Sequence, residues 1–480
     1  MRLPAHKTKV VCTIGPASRS EAVLERLMLE GMNVARLNFA HGTLQGHKED
    51  IQRIRAVASR LQRHCMIMAD LPGPKIRIGK LLDEPLLLEK GNEVILTTKD
   101  LVGTPNQIPV DYKRLPESVN PGSLVFLNDG FIQLQVEKVI GEEVFCRTVI
   151  GGPLLSHKGL NLPGVKIFAD AVSDTDLEFV AFALHEGVDA FGVSFAEGAD
   201  DILKVKGFAQ QRGQFVYVVA KIERAEAINN FDEILAAADA IMVARGDLGV
   251  QIPIEDVPAV QKKLINKANL LGRPVITATQ MLLSMTENIR PTRAEVSDVA
   301  NAILDGTDAV MLSEETAMGR YPVESVEMIS KIAISAERER KAVRILTDLP
   351  AYFRTGAGSG NATVEDIVSL NAVESANALN VRYILTHTQS TSAPCLISRL
   401  KPDCWILSCG GDEKTNHFLS LSYGVHPVCL DEETNGVTDR VMRFMGKTGM
   451  FEKDERVILV EDESTKDMHG TDSLKIIRTR

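Results

Sequence analysis

The sequence has little of what a nucleic-acid-binding protein needs. It contains 1 Trp and 6 Tyr among 480 residues, and aromatic residues make up 5%, so few side chains are available to stack on bases. The formal net charge is -10, from 54 basic and 64 acidic residues. Phosphate backbones are bound through a positive surface, so we do not expect nucleic acid as a partner.

Long apolar runs and paired cysteines are also lacking. No stretch approaches the roughly 20 apolar residues of a membrane span, and no apolar signal segment follows the basic start at residues 1–9. The 7 cysteines form no C-x-x-C pair, which is typical of reduced thiols rather than of a zinc site or disulfide framework. We therefore expect a soluble, cytoplasmic protein without a membrane partner.

The order of the elements indicates an inserted domain. A length of 480 residues favours about three domains, and strand-like and helical segments alternate from residue 9 onward. From about residue 75 to 161 the pattern changes to short β-rich runs, with a hairpin signal at Asn128-Asp129-Gly130. Pro/Gly breaks at 71–74 and 162–164 flank this part. We interpret it as a β domain between two hinges.

One phrase recurs after the insert, and each copy begins a continuous apolar strand. The copies carry Asp189, Asp239 and Asp308, and such runs are typical of parallel strands buried on both faces. With two further strands at 216–221 and 275–279, and three before the insert, the total is eight. Polar residues follow the strands, which predicts a (β/α)8 TIM barrel with its site at the C-terminal ends of the strands.

The fold class predicted from these patterns is α/β. It is a TIM barrel with an inserted β-barrel lid domain and a C-terminal α/β domain. The predicted division assigns 1–71 and 165–345 to the barrel, 72–164 to the lid and 346–480 to a regulatory or oligomerisation domain, which follows a polar stretch at 356–363.

Charged residues at two neighbouring strand ends point to metal-assisted chemistry. Lys221 and Glu223 alternate along one strand and share one side of it, although an ion pair that closes the barrel explains this pair equally well. Asp247 follows the next strand, and two carboxylates with water and substrate oxygens suit Mg²⁺. Gly246 lets backbone N–H groups approach an anion, whereas Arg-Gly-Asp alone is also an ordinary turn.

Hydroxyls and cations surround the same predicted centre. Thr279 and Ser313 follow the last two strands and can relay a proton through water, although isolated residues of this kind more often cap a turn. Arg36 and Asn38 share one side of the second strand. Arg77 and Lys158 lie in the insert, and phosphoryl transfer needs such cations. For Lys158 a solvated side chain is the alternative.

Together these segments resemble the pyruvate kinase family. They occur in family order from about residue 6 to 345, with only general agreement beyond. The matching segments are 8–16, 33–42, 73–77, 158–164, 220–223, 242–249, 277–281, 290–301 and 305–313. The resemblance implies a glycolytic, usually homotetrameric enzyme that transfers the phosphoryl group of phosphoenolpyruvate to ADP, giving pyruvate and ATP.

The resemblance also implies a role for each candidate residue. Lys221 would stabilise the phosphoryl group in flight, and Glu223 and Asp247 would hold Mg²⁺, or Mn²⁺ in its place. The phosphoenolpyruvate end would be bound by Arg36, Lys221, Gly246, Asp247 and Thr279. The nucleotide phosphates would be contacted by Asn38, His41, Arg77 and Lys158. Thr279 with Ser313 and water would protonate the enolate, and the insert would close as a lid that excludes water.

Several positions depart from the family pattern. The family's monovalent cation site corresponds to Asn38, Asp70 and Leu71 here, but Ala40 replaces the serine ligand. Lys75 replaces a glutamate of potassium-dependent relatives and offers a permanent positive charge, so we expect no K⁺ requirement. A solvated Lys75, with water in place of the serine, is the alternative.

Two further departures concern the last barrel strand and the effector loop. Glu314 stands where the family usually has glycine. The segment 390–394 lacks the glycine of the family's effector-phosphate loop, so we do not expect regulation by fructose 1,6-bisphosphate.

Two other functions fit part of the pattern. A barrel lyase or aldolase also holds pyruvate enolate on a metal ion, but it needs neither Arg77 and Lys158 nor two hinges. A catalytically dead homologue should have lost Lys221, Glu223 or Asp247, and all three are present. The sequence therefore favours the kinase.

Overall fold

The chain is described by a computed structural model. It covers residues 3–128, 130–165, 167, 170–340, 362–387, 390–428, 437–461 and 473–479. The predicted domain boundary at 345/346, most of the polar stretch at 356–363, Asp129 and Cys429 lie outside these residues. The described cysteines are buried free thiols. Within the described residues, no helix is long and apolar enough to cross a membrane.

The chain begins with three buried parallel strands and two helices. They are β1 (Lys9–Thr13), α1 (Glu21–Glu30), β2 (Met32–Asn38), α2 (Leu44–Arg60) and β3 (Met66–Asp70). The side chains of Ser20 and Thr43 accept hydrogen bonds from backbone N–H groups in the first turns of α1 and α2, which explains where these helices begin.

The insert forms two sheets around one apolar core. Its elements are β4 (Leu86–Leu88), β5 (Glu93–Thr97), β6 (Gln107–Pro109), α3 (Leu115–Ser118), β7 (Leu124–Leu127), β8 (Ile132–Ile140), β9 (Glu143–Ile150), β10 (Gly152–Leu154) and β11 (Leu160–Asn161). The six-stranded sheet has the order β11-β7-β8-β9-β5-β6, and β10 pairs with β4. Strands β7 and β8 are antiparallel, with positive φ at Asn128 and Gly130 between them. The predicted hairpin is confirmed.

Strand and helix alternate again after the insert. The strands are β12 (Ala190–Val193), β13 (Tyr217–Ile222), β14 (Ala240–Ala244), β15 (Val275–Ala278) and β16 (Ala309–Leu312). The helices are α4 (Asp174–His185), α5 (Ala199–Gln210), α6 (Ala225–Asn229), α7 (Phe231–Ala237), α8 (Arg245–Gln251), α9 (Val257–Leu270), α10 (Arg293–Leu304), α11 (Glu314–Ala317) and α12 (Pro322–Glu339). Short 3₁₀ turns lie at Ile254–Asp256 and Leu283–Thr286.

Eight parallel strands close into a barrel in the order β1-β16-β15-β14-β13-β12-β3-β2. This confirms the predicted (β/α)8 architecture. Side chains such as Val11, Met68, Val219 and Met242 fill the interior and are almost fully buried, as expected for a packed barrel core. The polar residues that follow the strands therefore converge at one end of the barrel.

The aspartate of the recurring phrase has a common structural role. The carboxylates of Asp189, Asp239 and Asp308 each accept a hydrogen bond from a backbone N–H of a neighbouring strand. The donors are Ile67 at 2.7 Å, Val218 at 2.7 Å and Val275 at 3.0 Å. Each aspartate therefore satisfies a donor at the N-terminal end of the barrel, where the ladder begins.

The last domain is a five-stranded sheet with helices. Its described elements are α13 (Val364–Leu379), β17 (Tyr383–His387), α14 (Ser392–Ser398), β18 (Trp405–Cys409), α15 (Glu413–Leu419), β19 (Val425–Val428), α16 (Val437–Thr448), β20 (Arg456–Glu461) and β21 (Ser473–Arg478). The order is β19-β18-β17-β20-β21, and β21 is antiparallel. The prediction of a C-terminal α/β fold is confirmed.

This last domain packs against the N-terminal end of the barrel. The rings of Tyr217 and Phe418 stack with centroids 4.0 Å apart. Lys401 lies 2.7 Å from Asp308, and His417 lies 2.9 Å from Asp189. The C-terminal domain therefore covers the end of the barrel opposite the predicted site.

Candidate active site

Lys221 lies at the centre of a buried cluster at the C-terminal end of β13. Its Nζ is 3.0 Å from Glu223 Oε1, 3.1 Å from Asp70 Oδ1 and 2.7 Å from Ser194 Oγ. Burial lowers the pKa of the ammonium, but the carboxylates of Asp70 and Glu223 outweigh it and the net shift is upward. The neighbouring carboxylates therefore favour the charged form of the buried Lys221 side chain.

Arg36 shares Asp70 with Lys221. The guanidinium donates from Nε to Asp70 Oδ2 at 2.9 Å and also contacts this oxygen through Nη2, while Nη1 donates to Thr13 Oγ1 at 2.9 Å. Burial raises the pKa of the Asp70 carboxyl, but the two cations hold it below its ordinary value. A Cβ on Gly192 would lie 2.8 Å from Asp70 Oδ1, so glycine makes room for this carboxylate.

Glu223 is fixed from two sides. Its Oε2 accepts the backbone N–H of Phe195 at 2.7 Å while Oε1 faces Lys221. Burial raises the pKa of the Glu223 carboxyl and the charge of Asp247 adds to that effect, although Lys221 opposes it. A carboxylate whose charge is disfavoured by burial and by a second carboxylate marks a place where a cation is stabilised.

The donor set fits a hard divalent ion. Glu223 is almost fully buried, and Asp247 is partly open to the cleft, where its Oδ1 lies 3.5 Å from Lys75 Nζ. No group of three or more His, Cys, Asp or Glu side chains able to hold a metal ion occurs among the described residues. An ion held by these two carboxylates must complete its shell with water and substrate oxygens, as Mg²⁺ typically does.

Thr279 and Gly246 meet at the ends of β15 and β14. The backbone N–H of Gly246 donates to Thr279 Oγ1 at 2.8 Å, and this hydroxyl donates to the carbonyl of Ala278 at 2.6 Å. Ser313 follows β16, and its backbone N–H donates to the buried carboxylate of Glu315 at 2.7 Å. The structure therefore brings the two predicted hydroxyl groups to the same end of the barrel.

A cleft of about 520 Å³ joins these residues to the insert. The barrel side contributes Gly246, Asp247, Thr279, Ser313 and Glu314. The insert side contributes Lys75 near the hinge together with Phe126, Phe131 and Gln133 around the β7–β8 hairpin. The insert therefore lies over the C-terminal ends of the barrel strands, which is where the sequence placed it.

The four predicted nucleotide contacts are not joined by hydrogen bonds to this cluster in the structure. Arg77 donates from Nη1 to the carbonyl of His157 at 3.1 Å, within the insert. Asn38 Oδ1 accepts the N–H of Ala40 at 3.2 Å. His41 is exposed and Lys158 is partly exposed, so both have room to meet a ligand.

Hydrogen bonds from the protein already reach three oxygens of the predicted monovalent cation site, namely Asn38 Oδ1, Asp70 Oδ2 and Leu71 O. Asp70 Oδ1 accepts none among the described residues and faces the ammonium of Lys221 at 3.1 Å in an ion pair. The carbonyl of Leu71 accepts the hydroxyl of Ser194 at 2.6 Å. Asp70 is engaged by Arg36 and Lys221, and Asn38 by Ala40. In this arrangement Asp70 is the acceptor between two buried cations.

Three residues near the site have structural partners that the sequence did not reveal. Ser194 links Lys221 to Leu71, Glu315 accepts the N–H groups of Ser313 and Leu282, and Arg245 contacts the turn after β15. Their positions just after strands were visible in the sequence. Apart from Ser313, which is two residues from Glu315, their partners lie on or just after other strands, so spacing alone carried no signal for those contacts.

Buried cations beside paired carboxylates at the ends of barrel strands suit an enzyme that moves an anionic group with the help of a metal ion. Comparisons with known proteins then give the family. Residues 5–326 match the family model described as "Pyruvate kinase, barrel domain", and residues 366–477 match "Pyruvate kinase, alpha/beta domain".

Full-length relatives agree with the two models. The chain is 47% identical to a pyruvate kinase of Thermococcus litoralis over 482 aligned positions, covering all of both chains. It is 42% identical to a pyruvate kinase of Staphylococcus epidermidis and 41% identical to one of Staphylococcus aureus, over 98% of this chain and 80% of each relative. The chain belongs to the pyruvate kinase family. It is thus a phosphotransferase of a family that generally needs a divalent metal ion.

Proposed function

We propose that this chain transfers the phosphoryl group of phosphoenolpyruvate to ADP, giving pyruvate and ATP, with Mg²⁺ held by Glu223 and Asp247. The observation that carries the proposal is the buried ammonium of Lys221, 3.0 Å from Glu223 at the C-terminal end of the barrel. A cation fixed beside a carboxylate pair suits a phosphoryl group that carries negative charge as it moves.

Glu223 and Asp247 are the proposed metal ligands. A bound Mg²⁺, or Mn²⁺ in its place, would supply positive charge to orient the substrate and neutralise its oxygens. The hydrogen bond from Phe195 N to Glu223 Oε2 holds that carboxylate in one orientation, and Asp247 faces the cleft where substrate oxygens can complete the shell.

Arg36 and Lys221 are the proposed cations for the transferred group. Both contact Asp70, and Arg36 is also held by Thr13, so neither side chain has to reorganise as charge develops on the phosphoryl oxygens. The backbone at Gly246 and Asp247 is proposed to bind the carboxylate end of phosphoenolpyruvate, because the absence of a Cβ at Gly246 lets a substrate approach the backbone.

Thr279 is proposed to help deliver the proton that completes the reaction. After phosphoryl transfer the enolate of pyruvate needs a proton at carbon. Thr279 and Ser313 both line the cleft, and their hydroxyls can pass a proton through an intervening water. Their positions just after β15 and β16, and the 2.8 Å hydrogen bond from the Gly246 backbone N–H to Thr279 Oγ1, support this assignment.

The nucleotide is proposed to bind between the barrel and the insert. Asn38 is the last residue of β2 and His41 follows this strand. Arg77 and Lys158 lie in the insert, near its two hinges. Closure of the insert would bring Arg77 and Lys158 toward the nucleotide phosphates and would exclude water, which otherwise accepts the phosphoryl group. The proposed domain boundaries lie at 71/72, 164/165 and 345/346.

We also propose that the enzyme works without K⁺. Ala40 offers no side-chain oxygen, and Leu71 O and Asp70 Oδ2 already accept hydrogen bonds. Asp70 Oδ1 lies 3.1 Å from the ammonium of Lys221. Lys75 Nζ lies 3.5 Å from Asp247, so its positive charge lies beside a proposed Mg²⁺ ligand. Regulation by fructose 1,6-bisphosphate is not proposed, since the Ser392 hydroxyl donates to the Glu365 carboxylate at 2.7 Å and a carboxylate there opposes a phosphate.

A homotetramer is the proposed assembly, and the cytoplasm remains the predicted location. Two separate sets of exposed apolar side chains support the assembly. One set contains Ile289 and Met318 of the barrel, and the other contains Val364, Ile367 and Ile476 of the C-terminal domain. We propose that each set forms a two-fold contact with its copy in another subunit. Two such contacts together build a tetramer, which light scattering would test. A dimer that persists after Ile476→Lys and Met318→Lys would contradict it.

A coupled assay for pyruvate tests the proposed reaction. The purified chain should form pyruvate from phosphoenolpyruvate only when ADP and Mg²⁺ are both present. Omitting ADP separates the kinase from a lyase or phosphatase, because those activities need no acceptor nucleotide. Pyruvate formed without ADP, or no turnover with or without added sugar phosphates, would refute the proposal.

A further inference from the structure

The turn after β15 has a backbone conformation that needs support. Thr279 has φ of 70° and Gln280 has φ of 54°, so two consecutive non-glycine residues are left-handed. A β-branched residue rarely adopts this region. Such a conformation persists where the surrounding structure fixes it, and it is often found at functional sites.

Arg245 supplies that support from the neighbouring strand end. Its Nε donates to the carbonyl of Ala278 at 3.1 Å, and its Nη2 donates to the carbonyl of Thr279 at 2.8 Å. Nη2 also lies 2.8 Å from the sulfur of Met281. One planar guanidinium therefore holds two successive carbonyls of the turn, on both sides of the left-handed threonine.

The guanidinium is itself held in place. Nη1 donates to Asp298 Oδ1 at 2.7 Å and to Gln261 Oε1 at 3.3 Å, from α10 and α9. The side chain is only 12% exposed. Since all its donor nitrogens point to protein acceptors, Arg245 is not arranged to receive a substrate phosphate.

The residue after Arg245 completes the contact. The backbone N–H of Gly246 donates to Thr279 Oγ1 at 2.8 Å. Residues 245 and 246 therefore fix the carbonyl and the hydroxyl of the same threonine, one through a side chain and the other through the backbone. A displacement of this turn would move the hydroxyl relative to the cleft.

We propose that Arg245 is a positioning residue that holds the Thr279 hydroxyl in place for protonation of the enolate. The proposal rests on the role of Thr279 given above. Lysine cannot replace Arg245 here, because an ammonium lacks the planar fork that reaches two carbonyls and a carboxylate together. The alternative is that Arg245 only braces α9 and α10 against β14.

A double-mutant cycle distinguishes these two roles. Exchange of pyruvate methyl protons with deuterated water, in the presence of Mg²⁺ and ATP, is followed by NMR for the wild type, Arg245→Met, Thr279→Ala and the double variant. We expect Arg245→Met to slow exchange by about 10²-fold, as misplacement of a reacting group by about 1 Å does. In the Thr279→Ala background the same change should slow exchange by less than about threefold, because coupled residues are not additive.

Controls separate positioning from loss of the fold. Arg273→Met removes another barrel arginine, which donates to the carbonyl of Leu235 at 3.2 Å near the opposite end of β15, and it should leave exchange within about twofold of wild type. Arg245→Lys repeats the cycle if the methionine variant does not fold. Thermal unfolding of each variant shows that the protein measured is native.

The outcomes are distinct. An equal loss from Arg245→Met in both backgrounds would overturn the positioning role alone, and so would wild-type exchange in Arg245→Met or Arg245→Lys. If Thr279→Ala exchanges like the wild type, the proposed role of Thr279 fails, and the inference that depends on it is overturned as well.

Discussion

The ammonium of Lys221 lies 3.0 Å from the carboxylate of Glu223. Glu223 is two residues further along the chain, directly after the end of β13. Alternation along a strand places both side chains inside the barrel mouth, and burial makes the pair sensitive to the loss of either member. Asp70 provides a second carboxylate for Lys221 at 3.1 Å. Removing the lysine charge would therefore leave two buried carboxylates with less compensation.

Lys221→Met tests whether this charge acts on phosphoryl transfer. We expect pyruvate formation to fall by roughly 10³-fold or more, since one charge at a transferring group is lost. Exchange of pyruvate methyl protons should fall much less, because the later proton step uses Thr279. Lys263→Met, an exposed lysine on α9, is the matched control. Comparable loss of both activities would contradict the assignment.

Asp247→Asn tests the proposed metal site. An amide is a weaker ligand than a carboxylate for a hard ion, so the Mg²⁺ concentration for half-maximal rate should rise by more than roughly tenfold. Asp256→Asn removes the same charge from an exposed position in the 3₁₀ turn that follows β14 and α8. This variant should leave the Mg²⁺ titration unchanged. If the Asp247→Asn titration overlays that of the wild type, Asp247 is not a ligand.

Much of the fold was predictable because its signals are local. The apolar runs beginning after Asp189, Asp239 and Asp308 gave three barrel strands, and the Pro/Gly breaks marked the insert. The sequence did not reveal that each of these aspartates accepts a backbone N–H from an adjacent strand. The donors are 122, 21 and 33 residues away in sequence, and no local pattern records such contacts.

The site was predictable in the same uneven way. Strand periodicity predicts that Lys221 and Glu223 lie on the same side of the strand, and in the structure their side chains are 3.0 Å apart. The sharing of Asp70 between Arg36 and Lys221 depends on three different strands. Thr279 has a left-handed backbone, and its carbonyl accepts a hydrogen bond from Arg245, which follows a different strand. This contact forms only in the assembled barrel.

Potassium dependence is predicted to follow the charge of residue 75. The wild type should show less than a few-fold activation when KCl replaces tetramethylammonium chloride at constant ionic strength. Lys75→Glu should gain a potassium response, because it replaces a permanent cation near Asp247 with an anion that a bound ion can compensate.

Lys80→Glu makes the same charge change at an exposed position of the insert and serves as the control. Strong activation of the wild type by potassium would refute independence. An unaltered response in Lys75→Glu would remove Lys75 from the explanation.

The final prediction concerns Lys9, at the contact between the barrel and the C-terminal domain. Its Nζ donates to the carbonyl of Val425 at 2.6 Å and lies 5.5 Å from the centroid of the Trp405 ring. Burial lowers the pKa of Lys9 to about 7, although Glu337 and Asp308 oppose that shift. The neighbouring His426 is half-buried, and desolvation lowers its pKa to about 3, so it stays neutral near pH 7.

The sign of the pH effect follows from these values. Between about pH 7 and the unfolded-state pKa of about 10.4, the unfolded chain binds a proton at Lys9 that the folded chain does not. Stability from this group therefore rises with pH, by up to about 1.4 kcal/mol per unit. Below about pH 7 both states are protonated, and the contribution becomes flat.

Lys9→Met removes this titration and isolates it from other groups. The unfolding temperature of the wild type minus that of Lys9→Met should rise steadily from about pH 7 to 9 and stay constant from about pH 6 to 7. Lys7→Met is the control, because Lys7 lies 5.7 Å from the same Trp405 ring, and its difference from wild type should not vary in this way. A Lys9→Met difference that is flat across the whole range would show that Lys9 keeps its proton when buried.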